Sequence, residues 1–212
     1  AMRYTARSAA FVALAGLSGC MTSRPDRPKM VNSYLAERDD LASVRRIMIL
    51  PFHAERGVTV DNDRIRDAFV NELQKLRRFE VVPLTDAARE DEALNASLAR
   101  GRLSTAGVVK LCERYSLDGV FVGAITAWRP CKLPQLGLRT SLVSMHSGSC
   151  VWAVDAIYDA SDLSTISDLK HFFDRSPRDR SNLHGWEMTL LSPSKFTDFV
   201  ARRCVGTWIE RS

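Results

Sequence analysis

Hydrophobic positions recur along this chain with two periods, and the alternation between them predicts its elements. Residues 46–52 (RIMILPF) are apolar in succession and run into a proline, the pattern of a strand buried on both faces. After Asp61, the side chains of Ile65, Phe69, Val70, Leu73 and Leu76 return at helical spacing. Arg64, Asp67, Glu72 and Lys75 fall on the wet side of that helix, and Asp61 is placed to cap it. A short strand follows at 79–84 (FEVVPL), then a polar helix over 86–100 with Gly101 as its stop. Val108, Val109, Leu111, Cys112 and Tyr115 mark a third helix, opened by Ser104 or Thr105.

The second half reads as strands closed by helices. Leu117-Asp118-Gly119 turns the chain into 120–128 (VFVGAITAW), rich in the β-branched and aromatic residues that suit a central strand. Residues 130–137 connect it to 138–145 (LRTSLVSM), and Ser147-Gly148 turns that strand back into 151–158, giving a three-strand meander. Thr165 with Asp168 has the spacing of a capping box before a helix carrying Ile166, Leu169, Phe172 and Phe173. A loop over 176–182 precedes a last helix with Pro193 in its first turn and Phe196, Val200, Cys204 and Trp208 on one face. This order predicts an α/β (α+β) fold, a single three-layer-like domain over 43–212 with a helical C-terminal extension. One mixed sheet of about five strands is expected, flanked by helices.

The beginning of the chain has a different character. Met2, Arg3 and Arg7 precede an apolar run at 8–17 that falls short of the roughly 20 residues a spanning helix needs, which reads as a signal peptide over 1–19. Leu17-Ser18-Gly19-Cys20 resembles the lipobox of a bacterial lipoprotein leader, and the resemblance implies that Cys20 becomes the acylated first residue. Met21, where an aspartate would favour retention at the inner membrane, implies the inner leaflet of the outer membrane, facing the periplasm. Residues 20–42 carry two prolines, many charges and little periodicity, and are expected to be a lipidated flexible tether reaching roughly 25 Å.

Charge narrows the partners. The net charge of +5 includes two leader arginines, so the remainder carries 5 − 2 = +3. The pairs Arg45-Arg46, Arg77-Arg78 and Arg202-Arg203 are dispersed instead of forming one stripe, so no nucleic-acid partner is expected. Cys112, Cys131, Cys150 and Cys204 allow three disulfide pairings or serve as small buried hydrophobes. A Cys131 to Cys150 bridge is disfavoured, because the meander puts them at opposite ends of a strand.

Candidate chemistry is sparse. Asp155, Asp159, Asp162 and Asp168 are the densest acidic set, and with His146 or His171 they could serve a metal-dependent hydrolase. Strand, turn and helix-start positions explain the same aspartates without chemistry. No nucleophile elbow, phosphate loop, dinucleotide glycine pattern or Cys/His metal spacing occurs. No catalytic residue, metal or cofactor is therefore assigned, and the chain is not expected to be an enzyme.

The run 112–125 (CERYSLDGVFVGAI) is similar to the helix-to-strand junction of small periplasmic α/β domains. Those domains include the curli secretion channel subunit, the lipoprotein activators of penicillin-binding proteins and the amino-terminal domain of the Tol translocation protein. Leu142-Val143, Ser147-Gly148 and Val151-Trp152 resemble a hairpin of the same group, with His146 and Ser147 departing from its acid and threonine positions. The resemblance covers about 45–160 and implies fold and compartment more than activity. It favours a membrane-anchored, non-catalytic binding, assembly or regulatory component of a cell-envelope complex, with an envelope protein or the cell wall as partner. A homo-oligomeric export-channel subunit is the alternative. Trp128, Arg129, Pro130 and Leu133, in the loop 128–137 (WRPCKLPQLG), are the candidate partner contacts.

Overall fold

The computed structural model describes residues 29, 31–85, 105–131, 133–175 and 185–209. The leader, Cys20, the polar helix expected at 86–100 and the loop at 176–182 lie outside them. Seven strands form one mixed sheet: β1 (Asn32–Leu35), β2 (Arg46–Ile49), β3 (His53–Ala54), β4 (Glu80–Val82), β5 (Gly119–Arg129), β6 (Gln135–Ser144) and β7 (Cys150–Asp159). The described helices are α1 (Arg38–Ser43), α2 (Asn62–Lys75), α3 (Thr105–Tyr115), α4 (Leu163–Arg175), α5 (Glu187–Leu191) and α6 (Pro193–Ile209). The fold class is the expected one.

The sheet order is β1-β7-β6-β5-β2-β4, with β3 also on β5. β2 pairs in parallel with β4 and β5, as its uninterrupted apolar run requires, while β5, β6 and β7 form the antiparallel meander. Two cores flank the sheet. On one face, Ile47, Phe121, Leu142, Trp152 and Tyr158 meet α2 through Phe69 and α6 through Phe199 and Trp208. On the other, Met48, Leu50, Val82 and Val120 meet Leu111, Cys112 and Leu117 of the α3 region. Gly123 leaves no room for a side chain, because a Cβ there would lie 2.7 Å from the buried ring of Phe52.

About five strands were expected and seven are present among the described residues. Pro51 interrupts the first apolar run, but the chain resumes pairing with β5 as β3. The other addition corrects the tether expected over 20–42 in its described part, 31–42. Residues 32–35 are a sheet strand, paired antiparallel with β7, and Leu35 packs against the main core. Two half-buried and two exposed residues over four positions are too short a signal to stand out against a charged neighbourhood. Glu72, expected on the wet side of α2, is buried and paired with Lys75. The expected capping box at Thr165 and Asp168 is also corrected. Asp162 takes the capping role, accepting from the Ser164 N–H at 3.1 Å, while Thr165 and Asp168 point inward. Asp61 caps α2 as expected, accepting from the Arg64 N–H at 3.2 Å.

Candidate functional site

Tight antiparallel pairing of β5 and β6 shortens the expected connection. β6 begins at Gln135, so the turn between the strands is only 130–134. Trp128 pairs with Leu136 and Arg129 with Gln135 across the strands, which brings the four candidate contact residues to one sheet end. Their surroundings differ. Trp128 is half-buried against the main core, so it supports the tip from below. Arg129 and Pro130 are exposed, and Leu133 is 38% exposed.

The tip is braced from beneath. The Arg129 guanidinium donates to both carboxylate oxygens of Asp159, each at 2.9 Å, and its Nε donates to the Leu133 carbonyl at 3.1 Å. Gln135 Nε2 also donates to Asp159 at 2.9 Å, and the Ala160 N–H donates to the carbonyl of buried Pro134 at 2.9 Å. Asp159 in turn accepts from the backbone and hydroxyl of Ser161. These bonds hold Leu133 at φ +72°, a left-handed conformation that costs a non-glycine residue about 1–2 kcal/mol. An apolar side chain is thereby presented to solvent on a backbone that has little freedom to fold it away.

Partial burial would raise the Asp159 carboxyl, but the hydrogen bonds from Ser161 and the charge of Arg129 outweigh it and hold the group below its ordinary value. A depressed carboxylate contributes stability that is present above the unfolded value of about 3.9 and is lost as pH falls through the folded value. The tip is therefore expected to loosen below about pH 4. Amide hydrogen exchange at Ala160, compared with Leu142 in mid-sheet, checks this, and Asp159→Asn should remove most of the pH dependence.

The acidic set does not converge. Asp155 is 3.2 Å from Arg139, Asp159 pairs with Arg129, Asp162 is 3.2 Å from Lys29, and Asp168 is 2.9 Å from Arg203. Each carboxylate meets its own cation, and among the described residues no three His, Cys, Asp or Glu side chains gather to hold a metal ion. His146 lies at the far end of the sheet, 3.4 Å from Asp118. The four described cysteines are free thiols. Burial pushes Cys112 up to about 11 and Cys204 up to about 12, so neither is a thiolate at neutral pH.

The sequence reading held Asp159 only as part of the acidic set and Gln135 and Pro134 only as positions of the 128–137 loop, without their bracing roles, and it did not single out Lys29 close by. Lys29 Nζ donates to Asp162 at 3.2 Å and to the hydroxyl of fully buried Thr165 at 3.1 Å, and it lies 5.2 Å from the centre of the Tyr158 ring. Its partners are more than a hundred residues away along the chain, so no local pattern marks it.

No protein-family model matches the chain, and no curated protein matches it. Among solved structures it is similar to the PelC dodecamer from Paraburkholderia phytofirmans, at 15% identity over 66% of this chain and 89% of that one, TM-score 0.44. It is also similar to lipoprotein GNA1162 from Neisseria meningitidis, at 18% identity over 54% and 79%, TM-score 0.39. The LpoB C-terminal domain from Escherichia coli matches at 12% identity over 55% and 83%, TM-score 0.38. Of these three, GNA1162 is described as a lipoprotein.

Proposed function

We propose that this protein is a lipid-anchored, non-catalytic binding component of a cell-envelope complex, attached through Cys20 and contacting its partner with the 128–133 tip. The observation that carries the reading is the braced turn. Arg129, Asp159, Gln135 and Ala160 together fix an exposed leucine in a strained conformation, and strain of this kind persists only where the surrounding structure holds it. Preorganised apolar anchors on rigid turns cost little entropy on binding, which is what a contact residue needs. The anchor itself rests on the lipobox resemblance, and the outer-membrane location on Met21 following it.

Affinity purification after crosslinking in intact cells tests the tip. Leu133→Asp is expected to lower recovery of one heterologous envelope protein roughly tenfold, equivalent to about 1.4 kcal/mol, with no loss of membrane attachment. Leu133→Gly serves as the control for folding. It relieves the positive φ and should raise the melting temperature while still losing the partner. Retention of the partner by both variants would overturn the tip as contact. Only self-contacts, in one large symmetric species, would replace this reading with the export-channel alternative.

A further inference from the structure

Lys29, the first described residue, is fixed at a point that adjoins the contact tip. Its ammonium is held between Asp162, Thr165 and the Tyr158 ring, and its side chain is only 16% exposed. Asp162 lies three residues past Asp159, which binds Arg129 of the tip, and two past Ala160, which bonds the Pro134 carbonyl. Leu163, at the start of α4 on this same end, is 79% exposed, the highest value for a large hydrophobic residue among the described residues. The opposite end of the sheet, with the Ser147-Gly148 turn, lies about 30 Å away along the ten residues of β6.

The leash is correspondingly short. With β1 in the sheet and Lys29 clipped to α4, the separation from Cys20 is 29 − 20 = 9 residues, in place of the 22 of the expected tether. Nine residues span at most about 30 Å however they are arranged. For the sheet to stand upright on its far end, Lys29 would have to be held that full distance above the bilayer. The shorter the leash, the narrower the range of tilts that bring the far end nearer to the bilayer than the 130–134 turn and Leu163.

From this geometry we infer that the tip is held facing the bilayer, and that its partner is a protein seated in the same membrane, not one free in the periplasm or fixed to the wall. The inference rests on the anchor and contact reading above and adds the orientation and the partner class. Cys131, exposed within the turn, provides a natural label position.

The purified lipidated protein, with Cys150→Ser, is labelled with a fluorophore at Cys131 and inserted into phosphatidylethanolamine–phosphatidylglycerol vesicles carrying headgroup spin-labelled lipid. A second preparation, Cys131→Ser with Ser147→Cys, carries the label at the far end. Quenching several-fold stronger at Cys131 is expected. Equal quenching, or stronger quenching at position 147, overturns the orientation while leaving the contact reading intact. For the partner, the protein crosslinked through Leu133 is expected to remain in the membrane fraction of cells expressing only Cys20→Ala. A crosslinked partner that is soluble there, or crosslinks to lipid alone, overturns the partner class. An unmodified Cys20 by mass spectrometry overturns the anchor itself and this inference with it.

Discussion

Replacement of Cys20 by alanine is expected to move the protein from the membrane to the soluble fraction, with at least a hundredfold fall in the membrane-to-soluble ratio. Each buried methylene of an acyl chain contributes about 0.8 kcal/mol, and it takes two chains or more to give a stable anchor. Among the described residues no helix is long and apolar enough to cross a membrane, so nothing in the described helices replaces the lost chains. Fractionation of cells expressing the variant, repeated at high salt to remove electrostatic adhesion, measures the effect. A protein that stays fully membrane-bound under both conditions would refute the lipobox reading of Leu17-Ser18-Gly19-Cys20.

Trp152→Ala is expected to be the most destabilising single truncation of the core, at about 3–5 kcal/mol. Trp152 is 1% exposed, stacks on Phe121 with centroids 5.5 Å apart and leans on Trp208 at 6.1 Å. Its indole N–H donates to the Thr207 hydroxyl at 3.1 Å, tying β7 to the last turn of α6. The Thr207 hydroxyl donates to the Cys204 carbonyl at 2.7 Å, so it keeps one partner when the indole is gone and most of the cost is the cavity. For a domain of this size each kcal/mol shifts the melting temperature by about 2–4 °C, so a fall of roughly 6–20 °C follows. Trp152→Phe keeps the ring contacts and should cost less than half as much. A fall below about 3 °C for the alanine variant would show that α6 does not depend on this ring for its seat.

Much of this fold is written locally. The apolar run at 46–52, the helical recurrence of Ile65, Phe69 and Leu73, and the alternation in the meander each identify an element, because burial of one face imposes a period on the sequence. Phe196, Val200, Cys204 and Trp208 are all buried as their spacing predicts. The signals that failed were short or ambiguous. β1 has four residues and β3 two, too few for a period to emerge. Thr165 and Asp168 fit a capping box by type and spacing, but Asp162 also fits a cap, and in the folded chain it is Asp162 that caps while Thr165 and Asp168 are buried.

The candidate site divides in the same way. Its four named residues adjoin in sequence, so a single loop between strands made them legible together. The sequence by itself determined the order of the longer described strands and helices and the apolar faces they bury, since each depends on neighbours a few positions away. Tertiary structure alone decided that Asp159 braces the tip, that Asp155, Asp159, Asp162 and Asp168 face four separate cations, and that Lys29 is held at the same end of the sheet as Leu133. Those outcomes depend on pairs separated by 16 to 133 residues. Which charges meet across such distances is set by sheet order and register, and neither leaves a periodic trace along the chain.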